Sequence, residues 1–112
     1  MHIIAHRGFW KVDSEKNSLV AFQRALKCGF GIETDVRDFN SKLVISHDIP
    51  DEDNISLEQF IDLVETENPN VTLAINVKSD GLQSLFKKNN QLKKIAHFFF
   101  DMSVPDCLGY NK

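Results

Sequence analysis

The sequence predicts an α/β fold built from parallel βα units, and three observations predict it. Apolar strand-like runs alternate with amphipathic helical patterns along the whole chain. Each apolar run turns polar at its C-terminal end: "HIIA" into His6 and Arg7, "GI" into Glu33 and Asp35, "LAI" into Asn76 and Lys78, "HFFF" into Asp101. The one place where alternation fails, between Asp35 and "LVISH", is too short for a parallel crossover, which needs about a dozen residues or more.

The elements follow in order. The first strand covers about residues 2–6. After the loop "FWKVDSEKN", Asn17 or Ser18 caps a helix whose apolar positions are Leu19, Phe22 and Leu26, and Gly29 ends it in the left-handed region. A second strand covers 30–36. A turn centred on Asn40-Ser41 then makes residues 37–47 a hairpin arm, with cross-strand partners summing to about 81. That register places His47 opposite position 34, level with Glu33 and Asp35. Ser56 and Gln59 form a capping box before Leu57, Phe60, Ile61 and Val64, which repeat at helical spacing. A strand at 72–78 follows Pro69. Leu82, Leu85, Phe86 and Leu92 predict a third helix of about a dozen residues, and "HFFFDM" predicts a strand at 97–102. Ser103, with Pro105 just inside, opens a fourth helix.

Composition narrows the function. The 112 residues suffice for one domain, 42% are hydrophobic and 26% charged, and the net charge is -3. This balance argues against bulk attraction to nucleic acid or anionic lipid. Nine Phe against one Tyr and one Trp read as packing side chains. Cys28 and Cys107 have neither disulfide-framework nor metal-site spacing and suit a reducing compartment, so a cytoplasmic location is expected. The N-terminus lacks the pattern of a signal peptide, and no apolar run reaches membrane-spanning length.

The strand ends carry the chemistry. Parallel βα proteins gather the C-terminal ends of their strands on one face, where their sites lie. Side chains alternate along a strand, so Glu33 and Asp35 point the same way, as do Asn76 and Lys78. Two carboxylates at this spacing suit a hard divalent cation, Mg2+ or Ca2+. Arg7 and Lys78 would bind a phosphate anion, and His6 and His47 could serve as general acid and base, with the assignment between them open. Asp101 reads first as a helix-preceding turn residue and second as a weak ligand, and Trp10 as packing or a pocket wall.

Taken together, "IAHRG", "NSLVAFQRAL", "GIETDV", "LVISHD" and "INVK" resemble, in order and spacing, the glycerophosphodiester phosphodiesterase family of the phospholipase-C-like phosphodiesterases. The resemblance implies a TIM-type (β/α) barrel, metal-assisted hydrolysis of a small phosphodiester, catalytic His6 and His47, phosphate contacts from Arg7 and Lys78, and metal ligands Glu33 and Asp35. Three departures qualify it. Asn76 stands where the family usually has a glutamate ligand, which predicts weak metal affinity. Glu15-Lys16-Asn17-Ser18 stands where it tends to have Pro-Glu-Asn-Thr. And 112 residues supply about half of a barrel that typically takes about 250. Residues 1–112 are therefore expected to be a single, incomplete barrel domain, whose open edges "HIIA" and "HFFF" would pair with another chain. Two rival readings are a phosphate-binding homologue that has lost activity and a metal-independent lyase-type phosphodiesterase, in which Lys78 or Arg7 takes over from the cation.

Overall fold

The computed structural model describes residues 3–103 together with Asp106, Gly109 and Tyr110. It contains a mixed α/β fold around one five-stranded sheet. Strand β1 is Ile4–His6, β2 Gly31–Phe39, β3 Lys42–Ile45, β4 Leu73–Val77 and β5 His97–Phe100. The order is β1-β2-β4-β5, each neighbouring pair parallel, and β3 pairs antiparallel with β2.

The hairpin forms as its sequence predicts. Val36 pairs with Ile45, Arg37 with Val44, Asp38 with Leu43 and Phe39 with Lys42. Asn40 and Ser41 have φ of 52° and 65°, the left-handed values that a tight two-residue hairpin requires. Alternate residues of a strand direct their backbone groups to opposite edges. Arg7 N donates to Glu33 O and Ser46 N to Asp35 O, whereas Lys78 N donates to Val36 O. Strand β3 therefore continues the β1 flank of β2, above the point where β1 ends.

Three longer segments become helices for local reasons. Helix α1, Leu19–Lys27, starts at Ser18, whose side chain accepts from Ala21 N, and Gly29 follows at φ 78°. Helix α2, Leu57–Glu67, carries the complete Ser56–Gln59 capping box and buries Leu57, Phe60, Ile61 and Val64. Each such side chain contributes about 1.5–3 kcal/mol when fully buried. The third segment departs from expectation. In place of a helix of about a dozen residues there is a short α3, Gln83–Lys87, and a 3-10 turn at Leu92–Lys94. Asn89 and Asn90 interrupt it, and the Asn89 side chain accepts from Leu92 N, offering the backbone a local alternative to the helical ladder. The helix expected from Ser103 and Pro105, and Cys107, lie largely outside the described residues.

The helices pack on one side of the sheet. Ile32, Val36, Leu73, Ile75 and Val77 join Phe22, Leu26, Phe60 and Ile61 in one core, where the Phe22 and Phe60 rings meet edge-on at 4.7 Å. The alternate residues face away from that core. Their registered rows are His6, Glu33, Ala74 and Phe98, then Asp35, Asn76 and Phe100. On this second face Ile4 and Phe98 remain 38% and 47% exposed. Between them Glu33, Asp35, Ala74 and Asn76, on the same face, are buried.

Candidate functional site

Strands β1, β2 and β4 deliver their polar ends to this second face. His6 and Glu33 are neighbours in the β1–β2 register, and Asp35 and Asn76 are neighbours in the β2–β4 register. The His6 ring Nε2 lies 3.0 Å from Glu33 Oε2. Asp35 is fully buried and gathers three side chains: Arg7 Nε at 2.9 Å from Oδ2, Asn17 Nδ2 at 3.0 Å from the same oxygen, and Lys78 Nζ at 3.8 Å from Oδ1. Lys78 Nζ also lies 3.3 Å from Asp101 Oδ2. The Arg7 contact is a charge contact without an aligned hydrogen bond, because the buried Nε–H is not aimed at the oxygen.

Backbone strain concentrates here. Arg7, Asn17 and Asp101 all have positive φ, at 57°, 57° and 69°, an arrangement costing on the order of 1–3 kcal/mol per residue. Gly8 follows Arg7 at φ 88°, and a Cβ there would lie 2.9 Å from Ala21, so the turn after β1 fits against α1 only with glycine. Trp10 Nε1 donates to His6 O, bracing the same turn, and Lys16 Nζ sits 4.4 Å above the Trp10 ring.

The electrostatics follow from this crowding. Burial, reinforced by neighbouring Asp35, pushes the Glu33 carboxyl up to about 6, against the opposing pull of Arg7 and Lys78. His6 is held below the usual imidazole range by partial burial and then by the Arg7 charge. The Glu33 carboxyl therefore changes charge closer to neutrality than an ordinary carboxyl does.

His47 stands apart from this cluster. The paired strand register ends at Val36 and Ile45 with one further bond, Ser46 N to Asp35 O, so His47 lies past the last rung and does not pair opposite residue 34. Its Nδ1 lies 3.0 Å from Asp48 Oδ1, and its side chain is 46% exposed. Its charge still reaches the titrations of His6 and Glu33. Arg37, which the sequence reading did not single out, fixes this loop. Its Nε and Nη2 donate to His47 O at 3.0 and 2.7 Å, and its Nη1 donates to Lys78 O at 3.4 Å. Asn17 was also missed as a site residue. Besides donating to Asp35 it accepts from Thr34 Oγ1 at 2.8 Å, while Ser18 takes the capping role. In the departing segment nearby, Glu15 holds Arg24 through two contacts of 2.7 and 3.1 Å.

The donor set tests whether a cation fits. Glu33 Oε1, Asp35 Oδ1 and Asn76 Oδ1 are buried without hydrogen-bond partners, and all three belong to adjacent positions on the face turned away from the helices. Three oxygen donors without partners suit a hard divalent ion. Among the described residues no group of three or more His, Cys, Asp or Glu side chains could hold a metal, so a cation here depends on the Asn76 amide. A cavity of about 460 Å³ lies elsewhere, between the hairpin, α2 and α3, beside Lys42, Ser56 and Lys88. Among the described residues no helix is long and apolar enough to cross a membrane.

The fold and this surface define an α/β protein with a one-sided parallel sheet and a charged cluster at its strand ends. No protein family, curated protein or solved structure matches the chain.

Proposed function

We propose that the chain forms about half of a TIM-type barrel and that its strand-end cluster serves metal-assisted hydrolysis of a small phosphodiester, resembling a glycerophosphodiester. The observation that carries this reading is the convergence of His6, Arg7, Glu33, Asp35, Asn76 and Lys78 on one sheet face, with three buried oxygens left without partners. Glu33, Asp35 and Asn76 would hold Mg2+ or Ca2+. When bound, such a cation supplies positive charge against the charge that builds on the phosphoryl oxygens. Arg7 and Lys78 would bind and orient the anionic diester and stabilise the same charge through their own side chains. His6 would exchange a proton at Nε2, the atom now facing Glu33. His47, on a loop tied down by Arg37, would take the opposite proton-transfer role. Each histidine should contribute on the order of a hundred- to ten-thousand-fold in rate.

The test uses His6→Ala and His47→Ala on an alkyl diester and on a diester with a nitrophenol leaving group. Loss of the general acid should matter little for the nitrophenyl substrate, and loss of the base should remain severe on both. Near-wild-type rates for both variants on the alkyl diester would remove the assignment. Asn76, with no charge to offer a cation, favours a second reading: a phosphate-binding homologue without activity. Binding of an unhydrolysed diester without turnover would establish it. Turnover that survives chelation would point to the metal-independent route instead.

A further inference from the structure

We propose that two copies of this chain close into one eight-stranded barrel, with β5 of each copy pairing in parallel with β1 of the other, and that this closure completes the wall beside His6. The described sheet has four parallel strands, β1-β2-β4-β5, and its two free edges are β1 and β5. Free parallel edges recruit further strands. The face turned away from the helices also leaves apolar Ile4 and Phe98 exposed near opposite edges. One occupant meets both needs at once. A two-fold rotation sets each β5 edge against the other copy's β1 edge, keeps all strands parallel, and leaves no edge unpaired. It also gives eight strands, the number whose interior is just filled by side chains.

His6, Glu33, Ala74 and Phe98 lie in one row across the sheet. The polar ends climb along the strands from there: His6 and Glu33 share that row, Asp35 and Asn76 share the next one facing the same way, and Lys78 lies beyond it. An eight-stranded barrel of shear 8 accumulates a shift of four residues over each half. Continued in the climbing direction, that shift brings Phe100 of one copy level with Ile4 of the partner subunit. The C-terminal end of β5 then stands beside the partner's His6, whose side chain is 63% exposed in the single chain. Closure would remove much of that exposure.

The experiment is sedimentation of the 112-residue chain at 5–50 µM (about), followed by cysteine cross-linking. The expected species has twice the 12.8 kDa chain mass. A monomer over this range, or an open series of larger species, overturns the proposal. In a background of Cys28→Ser and Cys107→Ser, Ile4→Cys combined with Phe100→Cys should give a covalent dimer on mild oxidation, and neither single variant should. A covalent dimer from Ile4→Cys alone would mean that β1 pairs with β1, which overturns it. If the double variant fails to fold by circular dichroism, the wild-type sedimentation result decides alone. None of these readouts measures hydrolysis, so their failure leaves the phosphodiester reading standing, and the converse holds.

Discussion

Glu33→Gln should stabilise the metal-free protein at neutral pH and do almost nothing in acid. Glu33 is 8% exposed and its carboxyl is pushed up to about 6 in the folded chain, against an ordinary 4.5. A raised carboxyl value means that the folded chain holds its proton more tightly than the unfolded chain does. Stability from this group is therefore present in full below about pH 4.5 and is lost as pH rises through about 6. The difference corresponds to about 2 kcal/mol at neutrality. Glutamine has the neutral form's shape and does not ionise, so it avoids that loss. For a chain of this size about 2 kcal/mol is roughly 8 °C in Tm. The assay is thermal unfolding of wild type and variant in chelator at pH 4 and pH 7.5. The variant should melt close to wild type at pH 4 and well above it at pH 7.5. An equal difference at both pH values would refute the claim that Glu33 is held in a charge-averse position.

Three further outcomes are expected. Asn76→Glu should tighten Mg2+ or Ca2+ binding on the order of tenfold by calorimetry, since ligand charge sets affinity for hard cations; unchanged affinity would place Asn76 outside the cation's contacts. Ser41→Gly should raise stability by about 1 kcal/mol in denaturant unfolding, because residue 41 has φ 65°. Asn17→Ala should cost about 2–4 kcal/mol, since it removes a donor from buried Asp35 and a partner from buried Thr34 at a left-handed position. Asn17→Gly should recover the backbone part of that loss and none of the hydrogen bonding.

The legible parts of the sequence were those governed by near neighbours. The Asn40-Ser41 turn fixed the hairpin register, and Ser56 with Gln59 fixed the start of α2. The alternation of Ile32, Glu33, Thr34, Asp35 and Val36 correctly separated a helix-facing side from a polar side. What failed depended on partners distant in the chain. Asn17 reads as a cap until Thr34 and Asp35 fold against it. Arg37 reads as an exposed hairpin residue until the carbonyls of His47 and Lys78 come within its reach. His47 was placed by extending the strand ladder past its last bond, Ser46 N to Asp35 O, because the counting rule contains nothing that says where pairing stops. The third helix was overestimated because its apolar spacing outweighed the local competition from Asn89.

Strand β1 has only a three-residue ladder with β2, from Ile4 to His6, whereas β2 is flanked by β4 on its other edge and by β3 above. The cluster is thus divided between a shallowly anchored donor arm and a deeply anchored acceptor strand. Release of the N-terminal arm alone would carry His6 and Arg7 away together and leave Glu33 and Asp35 in place. Such a fray would shift the local charge from balanced to acidic without melting the core. Accessibility of the arm to a protease, measured under native conditions, would then report how often the cluster comes apart, on a scale separate from global unfolding.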